Sequence, residues 1–387
     1  MKSAKLVIIS LLLTAFLFSN IALGSPYTTA AKMAIQSKDY KKALELLKKE
    51  IANDPESNEG YYLMGFVYSK LNKYNEMLDA FNKSLAIDDE YEEEITAHKL
   101  NAWAVLFNKG VKYFQKGNTS SSQDSAKIFY NTSTESFKSA VNIEPDSIST
   151  HRNLAFVLLN AQRYDEAIEP LQMIINKSKS KDGYRFLGNI YYNKAKTLKS
   201  KFITTKIPED SIAYMNMFDK AIEVLETGKK TYPSNSNILL ALSNSYIGAN
   251  RIDVAIKAFK EGVENQPDNK YYHYNYGVLL LGSKKYAEAI EQFKAAEKID
   301  SNYENAIYNL GVVYVQWGDN ILKSELDKEV HSDKYKLKYE SALPYLEKVI
   351  QLNDQEAAIW ETLGKVYTRL GKTSDAENAF NKSDSLR

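Results

Sequence analysis

The chain has no cysteine among its 387 residues, which excludes disulfides, thiolate catalysis and cysteine-ligated metals. Its four histidines, His98, His151, His273 and His331, are too far apart to show metal-ligand spacing. It has no charge excess either. Fifty basic and 49 acidic residues leave a net charge of +1, so bulk attraction offers a nucleic acid or an anionic membrane nothing. No phosphate-cradling glycine loop, no Ser/His/Asp set and no definable carboxylate pair can be picked out. The acidic run from Asp88 to Glu94 lacks the glycine turn of a calcium loop and reads as charge at a helix N-terminus. These gaps argue against an enzyme, a cofactor and a metal site.

Long apolar runs are missing after the first residues. Lys2 and Lys5 precede the run Leu6 to Phe18, interrupted by Ser10 and Thr14, and Ala22-Leu23-Gly24 has the form a signal peptidase accepts. The run falls short of the about 20 apolar residues a membrane span needs. The expectation is a signal peptide over residues 1–24, cleaved to leave an exported, periplasmic or extracellular protein beginning near Ser25. An uncleaved N-terminal anchor is the alternative. Lipid attachment would need a cysteine where Ser25 stands.

What is present is a period. Ala43, Met77, Ser133, Ala167, Ala221, Ala255, Ala289, Ala342 and Ala376 hold one slot, at steps of 34, 56, 34, 54, 34, 34, 53 and 34. A fixed step of this size marks stacked supersecondary units, which escape the usual relation between length and domain number. Within a unit, apolar residues fall three, four and seven apart, as in Tyr61, Met64, Gly65 and Tyr68, then Met77 and Phe81. That spacing predicts two amphipathic helices per unit. A small residue of the first helix (Gly65, Gly110, Ala155, Gly188, Gly277, Gly311, Gly364) precedes the slot, by 12 in the regular units, and predicts close approach of the two helices. Pro55, Pro145, Pro233 and Pro267 mark where second helices stop.

Aromatic, Leu-Gly, Tyr, Ala, Phe, Ala and Pro at these offsets resemble the tetratricopeptide repeat (TPR). Units 2, 7 and 9 carry the pattern most fully; unit 1 lacks the aromatic and the glycine, and Ser133 and Ser243 replace small residues in units 3 and 6. The resemblance implies an all-α, right-handed α-solenoid of about nine helix-turn-helix repeats over residues 25–387. Repeats are expected near 25–57, 58–91, 92–147, 148–180, 181–235, 236–269, 270–303, 304–356 and 357–387. The long steps place inserts in repeats 3, 5 and 8. Repeats 3 and 8 share Asn-x-Gly-Val-x-Tyr-x-Gln-x-Gly, at Asn108 to Gly117 and Asn309 to Gly318. In repeat 3 the excess splits into 11 residues before Gly110 and 11 after, about three helical turns each, which predicts longer helices. The segment Ser374 to Arg387 has few apolar residues and suits a polar cap.

Most of the 28 tyrosines take packing positions. Tyr40, Tyr74, Tyr164 and Tyr286 share one, and Tyr68, Tyr113, Tyr191, Tyr246, Tyr314 and Tyr367 another. Binding, by the TPR resemblance, belongs to a concave face lined by first-helix residues. These are Tyr62, Phe66, Phe107, Val111, Arg152, Phe156, Arg185, Asn189, Asn193, Asn244, Tyr274, Val278, Tyr308 and Val312. Arg185, Asn189 and Asn193 share a helix face with Arg152 one repeat earlier, weakly similar to the carboxylate clamp of chaperone-binding TPR proteins. Ala241 and Tyr271 stand where that clamp needs polar and basic groups. Asn108, Asn153, Asn275 and Asn309 recur at one position, which signals fold before ligand.

The function expected is a non-enzymatic scaffold of the cell envelope, binding a peptide or helix of a protein partner in this groove. The alternative is an assembly or secretion factor that docks partners at a membrane through the insert helices. No nucleic acid and no membrane span after signal cleavage are expected, and self-association through the inserts stays open.

Overall fold

A computed structural model describes residues 25–329 and 332–387. The signal-peptide reading, Val330 and His331 fall outside the described residues. Among those described, the regular structure is entirely helical, and no helix is long and apolar enough to cross a membrane.

The chain divides into two compact units between Arg163 and Tyr164. The first holds α1 (Pro26–Gln36), α2 (Tyr40–Asn53), α3 (Asn58–Lys70), α4 (Tyr74–Ile87), α5 (Glu92–Thr119), α6 (Gln123–Ile143) and α7 (Ile148–Asn160). The second begins with α8 (Ile168–Ser178), α9 (Lys181–Thr205), α10 (Pro208–Thr231), α11 (Ser236–Gly248), α12 (Ile252–Asn265) and α13 (Lys270–Gly282). It continues with α14 (Tyr286–Ile299), α15 (Glu304–Asp327), α16 (Lys334–Leu352), α17 (Ala357–Arg369) and α18 (Thr373–Ser385). Within each unit successive first helices pack side by side: α1, α3, α5 and α7 in one, and α9, α11, α13, α15 and α17 in the other.

The first-helix glycines are seats for side chains. A Cβ on Gly65 would lie 2.3 Å from the Phe81 ring, on Gly277 2.7 Å from Phe293, and on Gly188 2.5 Å from Leu225. What presses on each glycine is the residue four beyond the slot, where the sequence suggested a small residue facing another small one. Serine in repeats 3 and 6 is also accounted for. The buried Ser133 hydroxyl donates to the Gly110 carbonyl (2.8 Å), and the Ser243 hydroxyl to the Asn275 side-chain oxygen (3.3 Å).

Five residues before the slot the backbone is left-handed in every short hairpin. Lys38, Asn72, Gln162, Asn250 and Lys284 have φ of 57–61°, and Gly371 has 74°. Repeat 4 deviates at its second helix. Tyr164 to Ala167 form turns, α8 starts at Ile168, and Tyr164 is 48% exposed, against the packing role expected of it. A helix begun at Tyr164 would put Pro170 in its interior, costing a hydrogen bond and a ring clash. A start at Ile168 leaves it in the first turn, where no partner is missing.

The extra residues of repeats 3, 5 and 8 lie in longer helices. Where α3 and α4 have 13 and 14 residues, α5 and α6 have 28 and 21, α9 and α10 have 25 and 24, and α15 and α16 have 24 and 19. The α9–α10 hairpin is braced by Lys199 Nζ donating to the Gly248 carbonyl at the end of α11 (2.8 Å), with Phe218 against Gly248. Past that brace, Asp210 closes the turn by accepting from Lys201 and Thr205, both at 2.8 Å, and Ile203, Ile207 and Ile212 are exposed.

Helix α5 has shifted along its neighbours. In α15 the residues facing the preceding repeat, Ala306, Leu310 and Val313, are fully buried. Their counterparts by offset from the glycine in α5, Val105, Lys109 and Lys112, are exposed. The preceding repeat meets α5 ten or eleven residues earlier, at Ile95, His98 and Ala102. Ten or eleven residues are about three turns, so α5 presents a neighbouring face to the preceding repeat one segment higher, and Glu94 and Asn101, eleven residues before Val105 and Lys112, stay exposed.

Candidate functional site

The first unit closes part of the expected groove. Tyr62 and Phe66, read as groove-lining, are 3% and 8% exposed. Tyr91 stacks on Tyr62 with ring centroids 4.4 Å apart. The His98 ring lies edge-on to Phe66 at 5.1 Å and also neighbours Tyr62 and Phe81. These positions are therefore corrected to core: the extended start of α5 covers them. Burial, then the nearby Lys70 ammonium, lowers the His98 pKa to about 4. Burial also pushes the Tyr62 phenol to about 12, helped by Glu94 and Glu59. Phe107 is half-buried between Trp103 and Phe137 at 5.2 and 5.7 Å, and Trp103 Nε1 donates to Thr150 Oγ1 at 2.9 Å. Val111 and Phe156 are half-buried, and Arg152 is exposed.

In the second unit the first-helix positions are half-buried or exposed. Arg185 pairs with Asp182 at 3.3 Å and stacks 3.9 Å above the Phe186 ring, so its charge is engaged within its own helix. Asn189 is half-buried and Asn193 exposed on the same helix face. On α11 Asn244 is half-buried, and four residues earlier Leu240 is 40% exposed. On α13 Tyr274 is held by Tyr303 and Phe293 at ring distances of 5.3 and 5.9 Å, with its phenol raised by burial. Its hydroxyl accepts from Asn309 Nδ2 at 3.4 Å. On α15 the Tyr308 hydroxyl bonds Thr362 Oγ1 of α17 at 3.2 Å. Val278 and Val312 are half-buried beside these rings. The two clamp positions remain unsuited, since Ala241 is buried and Tyr271 packs edge-on to Tyr303 at 6.0 Å.

Sequence reading passed over Leu240, although it stands 34 residues before Tyr274 and 68 before Tyr308. It also left the recurring asparagine without a role. Asn275 reaches Ser243 of the repeat before, Asn309 reaches Tyr274, and Thr362 at the same offset reaches Tyr308. At these three sites the position is a clasp between consecutive first helices, whereas Asn153 bonds Ser149 of its own helix. Two histidines are structural as well. His151 and His273 each place Nε2 at 2.7–2.8 Å from the carbonyl of Pro145 or Pro267, six residues upstream. A carbonyl only accepts, so Nε2 carries the proton in both.

Family models described as tetratricopeptide repeat match residues 240–304 and, separately, 59–91 and 357–387. With the helix-turn-helix units above, the chain is a tetratricopeptide-repeat protein. Solved structures similar to it include MamA, at 22% identity over 46% of this chain and 92% of that one, TM-score 0.35. YrrB, described as a TPR protein with an unusual peptide-binding site, matches at 18% identity over 57% and 94%, TM-score 0.33. Yeast Tom70 matches at 13% identity over 93% and 84%, TM-score 0.37. No curated protein matches the chain.

Proposed function

We propose that the chain is a non-enzymatic scaffold that holds a peptide or helix of a protein partner along the first-helix face of its second unit. The observation carrying this reading is the row Leu240, Tyr274 and Tyr308. It puts one large apolar side chain per repeat on one first-helix face, Leu240 exposed and Tyr274 and Tyr308 half-buried, at a constant 34-residue step. Asn189 and Asn193 supply amides at one end, where they can pair with the backbone of an extended peptide. A row of few anchors of this kind suits micromolar affinity, about −8 kcal/mol, dominated by those anchors.

Leu240→Glu tests it cleanly, because Leu240 makes no hydrogen bond and the change adds a charge at an exposed site. Peptides selected on the wild-type protein from a displayed random library should bind this variant at least about tenfold more weakly, as should Tyr274→Ala with Tyr308→Ala. Retained affinity in folded variants of both kinds would move binding off this face. Export is proposed on residues 1–24 alone, and N-terminal sequencing of the protein recovered from a native cell envelope decides it.

A further inference from the structure

We propose that two copies of this chain pair antiparallel along α5. In most other repeats the face corresponding to Val105, Lys109 and Lys112 is covered by the preceding second helix, as α14 covers α15. On α5 that face is vacated, and Val105 is 50% exposed. A surface shaped to receive a helix is left open.

Its charge names the occupant. Between Glu94 and Asp124 there is no acidic residue, and Lys109, Lys112 and Lys116 stand on the outward side of α5. At the other end of the same helix Glu92, Glu93 and Glu94 are exposed. At 100° per residue, Glu94, Asn101, Val105, Lys112 and Lys116 fall in one stripe about 60° wide. Glu94, Lys109 and Lys112 have no ion-pair partner among the described residues.

The stripe is complementary to its own reverse. Val105 lies eleven residues from Glu94 and eleven from Lys116. A two-fold axis at Val105 therefore sets the two valines together and gives Lys116 of each copy Glu94 of the other, about 16 Å from the axis. Asn101 falls opposite Lys109 by the same symmetry. A foreign acidic helix would satisfy the lysines but leave the acidic end of α5 unanswered, so the second copy is the better fit.

The test uses the full chain, whose lack of cysteine makes any introduced thiol unique. In sedimentation equilibrium the protein should dimerise with concentration, and the dimer should weaken as salt screens the pairs. Lys116→Glu and Glu94→Lys should each raise the dimer dissociation constant at least about tenfold, because symmetry removes two pairs at once. The double variant exchanges the ends and should restore it. Val105→Cys should oxidise to a covalent dimer faster than Ile128→Cys, an exposed control off the axis. Circular dichroism confirms that each variant is folded. A protein monomeric at every concentration overturns the proposal. So does a double variant that stays as weak as the singles, the result expected of a foreign acidic partner, and so does equal crosslinking at residues 105 and 128.

Discussion

Gly277 and Gly282 occupy the same helix with opposite prospects. A Cβ at Gly277 meets the Phe293 ring at 2.7 Å, whereas at Gly282 the nearest neighbour is Ile252 at 3.8 Å. Gly277→Leu should cost roughly 1–3 kcal/mol by overpacking, and Gly282→Ala should gain up to about 1 kcal/mol from helix propensity. Urea unfolding midpoints distinguish them. His98 makes a prediction in pH. Its folded pKa of about 4 lies below the unfolded value of about 6.5, so between those values the unfolded chain binds more protons. Stability is then full above pH 6.5 and falls as the pH drops toward 4, by on the order of 2 kcal/mol from this residue. His98→Leu should flatten that slope in urea titrations at several pH values; an unchanged slope would show that the ring is hydrated. Period alone located such residues without revealing their neighbours. That Gly65 exists for Phe81, or that Tyr164 is displaced by Pro170, depends on contacts and on a proline three residues past the slot, which a 34-residue count does not register.

Among the elements, the hairpins were the legible part, because three, four and seven spacing determines a helix whatever surrounds it. The path of an insert was not. The eleven residues before Gly110 can be read as three turns of helix, but not as the segment that seals Tyr62 and Phe66. The outcome depends on azimuth, and that gives a test. One alanine inserted after Leu100 turns the two halves of α5 about 100° against each other. Either Ile95 and His98 or Ala102 and Leu106 must then leave their packing, and the unfolding free energy should fall by several kcal/mol, as for lost large side chains. The same insertion after Ser121, in the exposed turn between α5 and α6, should be nearly neutral. Equal effects at the two sites would mean that α5 is not a continuous rod.

For the whole molecule, the repeat count anticipated an all-helical chain but not its division between α7 and α8, since that boundary falls inside a repeat whose step is a regular 34 residues. The candidate face was partly visible. Tyr274 and Tyr308 were legible as first-helix positions, Leu240 was passed over, and Tyr62 and Phe66 of the first unit proved to be buried. The braced α9–α10 hairpin has a practical consequence. Beyond Lys199 its closing turn at Lys206–Ile207 is exposed, on a different helix pair from Leu240, Tyr274 and Tyr308. It is a natural anchorage: a tag spliced there would tether the protein to a chip or a dye through an exposed turn, leaving the helices that carry the proposed row unaltered.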